Sequence, residues 1–267
     1  MNDDTIGKVR ETRGKSYSLK TCGLIAGLVL PLVGGCTLQG SGEIEEREFS
    51  VEAFDEVNIS GGFYATIEQG EKHAVTVSAD ENLMDHVQVQ AEDGILHVKM
   101  DKDFGSGTLE VKLVMPVLRA ARVETSMLEG RGILVADDLR LEAADSGYYE
   151  LSLAKGQELE SLTIEARGES NMFLEGYDAK AAEVSLNDSS VHLEGTGQSF
   201  QASIIDSSTL TGRFESEEVD FVVKKDSAGD FFASERAAGT ATERARVSVS
   251  GDATIDVNVS EDSDFSH

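Results

Sequence analysis

Apolar and polar residues alternate with a period of two along much of the chain, in short stretches separated by glycine. Val57 and Ile59 flank Asn58, Ala65 and Ile67 follow Gly61-Gly62, and Val75 and Val77 follow Gly70. Val87 and Val89 lead into Glu92-Asp93-Gly94, with Leu96, Val98 and Met100 on its far side. After Gly105-Ser106-Gly107 come Leu109, Val111, Leu113 and Met115, closed by Pro116. A two-residue period puts every second side chain on one face, so each stretch predicts a strand with one buried side. The glycine-bearing punctuation predicts turns. No helical period of comparable length occurs, and only Asp80 to Asp85 has room for a single helical turn. The chain is predicted to be all-β.

The C-terminal half repeats itself. An acid followed by a small hydroxyl residue recurs at Glu124-Thr125, Asp145-Ser146, Glu169-Ser170, Asp188-Ser189, Asp206-Ser207 and Asp226-Ser227, with separations of 21, 24, 19, 18 and 20 residues. Short alternating strands lie between these points, such as Leu139-Arg140-Leu141, Leu162-Thr163-Ile164 and Val184-Ser185-Leu186. Leu174-Glu175-Gly176 returns as Leu193-Glu194-Gly195. A period near twenty with two or three strands per unit suits one turn of a β-solenoid, a single-stranded β-helix. Twenty residues at about 3.3 Å each trace a perimeter of roughly 65 Å, and coils stack about 4.8 Å apart. Each coil buries its apolar face only against the next. The N-terminal strands would form the first coils or a cap. An antiparallel sandwich, whose strands also recur every 8–12 residues or so, is the alternative.

The acid-hydroxyl pairs have two readings. Asp and Ser side chains stabilise turns by accepting hydrogen bonds from nearby backbone N–H groups. Alternatively, Asp188, Asp206 and Asp226 would form a carboxylate ladder for divalent cations, calcium above all, because hard cations favour oxygen ligands.

Residues 23–35 form an uncharged apolar run after Lys20, too short to span a bilayer but of the length of a signal-peptide core. Val33-Gly34-Gly35 then precedes Cys36, which resembles a bacterial lipobox. Residues 1–35 are thus expected to be a lipoprotein signal peptide, with Cys36 the lipidated residue. Residues 36–47 would be a tether, 48–260 the β-helical domain and 261–267 an acidic tail. By resemblance to Gram-negative lipoproteins, Thr37 after the cysteine implies the outer membrane.

Charge narrows the partners. The chain carries 50 acidic and 23 basic residues, a net charge of -27. Such a surface repels phosphate backbones, which excludes nucleic acid, and repels anionic headgroups, so membrane attachment would come from the lipid. The two cysteines, Cys22 and Cys36, leave no disulfide framework beyond them. His73, His86, His97, His192 and His267 are scattered without metal-ligand spacing, and no nucleophile elbow or phosphate loop occurs. Asp137-Asp138 and Asp101 with Asp103 are pairs that chance supplies in so acidic a chain. Tyr148, Tyr149 and Tyr177 offer a meagre sugar platform in a chain without tryptophan, and serve better as surface or corner fillers.

One family carries the whole arrangement. Arg47-Glu48-Phe49, Phe54-Asp55-Glu56-Val57-Asn58-Ile59-Ser60-Gly61 and Ala65-Thr66-Ile67-Glu68-Gln69-Gly70 resemble the entry segment of the auto-transporter adhesin head GIN domain family. Val75 to Leu83, Asp93-Gly94-Ile95-Leu96 and Met115-Pro116-Val117-Leu118 continue the likeness, which spans Phe49 to Val259. The chain departs from the family in using Asp-Ser-x where Ser-Gly-x is common. It also ends on Asp262-Ser263-Asp264-Phe265-Ser266-His267 rather than a glycine-rich coil. The resemblance implies a β-helical fold and an adhesive or structural role at the cell surface, with no catalytic residues to carry over. The expected function is non-catalytic binding of a protein or glycan by a lipid-anchored envelope protein. A β-helical polysaccharide lyase or hydrolase is the alternative.

Overall fold

The computed structural model describes residues 38–267. The first part contains β1 (Leu38–Gln39), β2 (Ile44–Phe49), β3 (Glu56–Ser60), β4 (Tyr64–Gln69) and β5 (Ala74–Asp80). It continues with the one-turn helix α1 (Glu81–Met84), β6 (Val87–Glu92), β7 (Ile95–Met100), β8 (Phe104–Ser106) and β9 (Leu109–Met115). The solenoid body follows with β10 (Leu118–Glu124), β11 (Met127–Ile133), β12 (Val135–Ala144), β13 (Tyr148–Leu153) and the long, repeatedly bent β14 (Glu158–Ile205). It ends with β15 (Thr209–Thr211), β16 (Phe214–Lys224), β17 (Ala228–Thr242), β18 (Arg246–Ser250), β19 (Thr254–Val259) and β20 (Asp264–Ser266).

These strands wind into a β-solenoid of about 7 turns with coils about 20 residues apart. Two parallel walls run its length. In the first, Ala121 pairs with Leu141 and Leu141 with Ile164; further along, Ala202 pairs with Phe221, Phe221 with Gly239 and Gly239 with Val257. In the second, Leu128 pairs with Tyr149 and Tyr149 with Met172, and Val191 pairs with Leu210. A short third wall pairs Gly195 with Phe214 and Glu215 with Phe232. Alternation delivers one residue in two to the interior, where inward side chains from all coils form one apolar cluster. The sandwich alternative is overturned, because every pairing of the body is parallel.

The N-terminal strands are both first coils and cap. The coil of β3 and β4 lies between the coil of β7 and β9 and that of β10 and β11. Val57 pairs with Leu96 on one side and Ala121 on the other, and Ala65 with Val111 and Leu128. Beyond β7 and β9, antiparallel β6 pairs with β7, β5 with β9, and β2 with β5. These added strands cover the edge that an open parallel wall would leave unpaired. Leu83 and Met84 of α1 are fully buried beside them. Buried Asp80 accepts from the backbone N–H groups of Gly42 and Thr108, tying the entering chain to the cap.

Two expected boundaries move. The segment read as a tether, 36–47, already holds β1 and the start of β2. The acidic tail, 261–267, holds β20, with Arg246 paired to Asp264 and Val247 to Phe265. Charge dominated the sequence pattern there, yet Phe265 still packs on the core.

Candidate functional site

The corner between the first and second walls is where the acid-hydroxyl pairs fall. Thr125, Asp145, Glu169, Asp188, Asp206 and Asp226 all have φ between 48° and 60°. This left-handed region suits Asp better than most residues, because its short polar side chain tolerates it. In the coil of β3 and β4 the same corner is Gly61-Gly62, with φ of 98° and 89°, and the Gly61 N–H donates to Thr125 Oγ1.

The residue after each turn points inward. Ser126, Ser170, Ser189, Ser208 and Ser227 are buried in successive coils, with Gly147 in the equivalent place in the coil after Ser126. The hydroxyls of Ser126, Ser189, Ser208 and Ser227 bond between coils rather than to the N–H groups just ahead, whereas Ser170 Oγ donates to Arg167 O within its own coil. Ser189 N–H donates to Ser208 Oγ and Ser208 N–H to Ser227 Oγ, each at 3.2 Å. Gly62 and Phe63 N–H both donate to Ser126 Oγ at 3.1 Å. At Glu124-Thr125, Asp145-Ser146 and Asp206-Ser207 the inward residue comes one place after the dipeptide, so the inward serines Ser170, Ser189, Ser208 and Ser227 recur every 19 residues where the dipeptides are 19, 18 and 20 apart. The last of these corners, Glu243-Arg244, lacks the motif, and its positive φ values of 58° and 64° reveal it only in the structure.

Asp188, Asp206 and Asp226 therefore do sit at one corner of successive coils, but cations of this chain are interleaved. Lys225 Nζ lies 2.9 Å from Asp206, and Arg244 Nε donates to Asp226 at 2.6 Å. Arg244 holds the Asp226 carboxyl below its ordinary pKa. Among the described residues no group of three His, Cys, Asp or Glu side chains is placed to hold a metal ion. Cys36 lies outside the described residues.

The tyrosines separate. Tyr149 and Tyr177 are fully buried core residues. The Tyr149 hydroxyl lies 2.8 Å from the carbonyls of both Ala121 and Glu142, whereas that of Tyr177 has no partner. Tyr148 faces outward, and it marks a feature that sequence reasoning missed. On the outer face of the second wall Tyr148 lies 5.8 Å from Phe173, and Phe173 lies 6.1 Å from His192, ring centre to ring centre. Tyr148 and Phe173 are diagonal neighbours across the coils, since Tyr148 pairs with Asn171 and Phe173 with Glu150. Phe173 is 46% exposed.

Beside this aromatic row is a groove of about 490 Å³ lined by Arg131, Tyr148, Glu150, Ser152, Phe173 and Glu175. It opens where β11 leaves register with β13 between Gly130 and Ile133. Arg131 Nη2 lies 3.0 Å from Glu150. Tyr64 donates its hydroxyl to Glu129 at the upper end. Burial, and then the negative field of Glu150 and Glu129, raise the Tyr148 hydroxyl above its ordinary pKa. The outer face of the first wall differs. There Arg122 and Arg167 each reach Glu142 at 2.6 Å, and Arg140 reaches Glu165 at 3.1 Å. This basic row was invisible in the overall charge, and its cations are matched by carboxylates. Of the carboxylate pairs, Asp138 accepts from Ser161 and Asp101 lies 3.0 Å from His86.

The fold is thus a capped parallel β-solenoid with an aromatic, acidic groove on one outer wall. The chain belongs to the family described as "Putative auto-transporter adhesin, head GIN domain", which matches residues 53–253. Among solved structures it is similar to a putative adhesin from Parabacteroides merdae ATCC 43184, at 16% identity and a TM-score of 0.74, covering 86% of this chain and 99% of that one. A putative adhesin from Parabacteroides distasonis ATCC 8503 is similar at 17% identity and a TM-score of 0.73, covering 86% and 100%. A putative lipid binding protein from the same organism follows at 14% identity and 0.71, covering 86% and 98%. At these identities the likeness shows a shared fold. Among curated proteins, none matches the chain.

Proposed function

We propose that this protein is a non-catalytic adhesive binding protein of the cell envelope, anchored through a lipid on Cys36 and presenting the outer walls of its solenoid to a partner. The observation that carries the binding role is the groove beside Tyr148 and Phe173. A 46% exposed phenylalanine whose ring lies tilted, 5.8 Å from a tyrosine ring, contributes little to the core. Exposed aromatic faces in a depression are what binding surfaces collect. Membership of a family described as adhesins supports the same reading. The lipid anchor rests on the lipobox-like Val33-Gly34-Gly35-Cys36 and the apolar run before it. Two acyl chains on one cysteine give lasting attachment, at about 0.8 kcal/mol for each buried methylene. Outer-membrane placement follows from Thr37 by resemblance to Gram-negative lipoproteins.

Two measurements test this. Expressed in a Gram-negative host, the full chain should incorporate labelled palmitate and sediment with membranes, and Cys36→Ser should abolish both. Incubated with a panel of acidic and neutral polysaccharides, the folded domain should release no oligosaccharide; turnover of any one would replace the adhesive reading with an enzymatic one.

A further inference from the structure

We infer that the groove beside Tyr148 and Phe173 is a docking site for a basic peptide segment, and that it seats Lys or Arg side chains on the aromatic faces between the glutamates. This rests on the adhesive reading above and names its partner's chemistry. Three observations converge. First, the groove is lined by aromatic faces, whose π systems present negative potential to a cation. Second, Glu129, Glu150, Glu175 and Glu194 stand on the same outer wall, and Arg131 is the one cation lining the groove, already bound to Glu150. His192 lies 3.3 Å from Glu194 and adds charge only when protonated. Burial, and then Glu150 and Glu129, raise the Tyr148 hydroxyl, and the hydrogen bond to Glu129 raises that of Tyr64. Third, the chain elsewhere makes the contact it would offer a partner, since Arg213 lies over the Phe232 ring at 5.1 Å from its centre.

Charge selects the occupant. A neutral sugar would stack on the same rings but would draw nothing from an uncompensated negative field. A basic segment gains from both, and the whole surface, at net -27, steers it in.

The test uses the folded domain and a short peptide alternating glycine with Arg and Lys, at about 0.15 M salt to screen long-range attraction. Its comparison peptide carries citrulline and acetyl-lysine instead. Calorimetry should show binding of the basic peptide alone. Phe173→Ala and the shape-preserving pair Glu150→Gln with Glu175→Gln should each weaken it roughly tenfold. The pair Glu217→Gln with Glu235→Gln, which removes the same charge from exposed positions away from the groove, should leave it unchanged. Equal weakening by both pairs would reduce the effect to net charge and overturn the site. Binding of a neutral oligosaccharide lost in Phe173→Ala, without peptide binding, would overturn it in favour of a glycan, and binding of neither probe would overturn it outright. None of these results bears on polysaccharide turnover, so the adhesive reading stands or falls separately.

Discussion

Ser208 and Tyr177 show how differently two buried hydroxyls act inside one solenoid. Ser208 Oγ accepts from the Ser189 N–H of the preceding coil and donates to Ile205 O at 2.6 Å. Ser208→Ala leaves both backbone groups without that partner and should cost about 1–3 kcal/mol in urea melts. Tyr177→Phe removes a hydroxyl that has no partner, so the same melts should show no loss, or a gain of up to about 1 kcal/mol. Glu142 adds a pH dependence. Burial would raise its carboxyl, but Arg167 and Arg122 outweigh that and hold it below its ordinary value of 4.5. A carboxyl depressed by folding adds stability that is fully present above its unfolded pKa and vanishes as pH falls through the lower folded value. Glu142→Gln should therefore cost about 2 kcal/mol at neutral pH and progressively less as the pH falls through the depressed folded pKa, where the native side chain becomes protonated too.

At the scale of elements, neighbouring coils trade side-chain volume. Gly229 pairs with Leu210 on one side and Val247 on the other. A Cβ on Gly229 would lie 2.8 Å from the Phe231 ring, which itself stacks on Phe221 at 4.9 Å. The glycine makes room for an aromatic pair that bridges two walls. Gly229→Ala should destabilise by about 1–3 kcal/mol through overpacking. Combined with Phe231→Leu, the loss should be less than the sum of the single losses, because both act on one space. The period-two pattern had already identified the strands and their inward faces. Which coil lies on which was not legible for β3 and β4, since their neighbours β7 and β10 are reached across long stretches of chain.

For the molecule as a whole, the question of calcium turns on counter-charge. With Lys225 and Arg244 already beside Asp206 and Asp226, millimolar calcium should move the melting temperature by less than about 2 °C, roughly the shift from a few tenths of a kcal/mol. A rise of several degrees would restore the cation ladder. All-β architecture, a coil of about twenty residues and the corner positions were readable in the chain, because alternation and turn chemistry are local and each repeat states them again. The coil order at the N-terminus, the Glu243-Arg244 corner, the inward serine ladder and the row of Tyr148, Phe173 and His192 were not. Each depends on residues about twenty or more positions apart becoming neighbours, and that proximity comes from stacking rather than from any local pattern. The groove illustrates the division: its glutamates and aromatics look ordinary in sequence, and winding the chain gathers them on one wall.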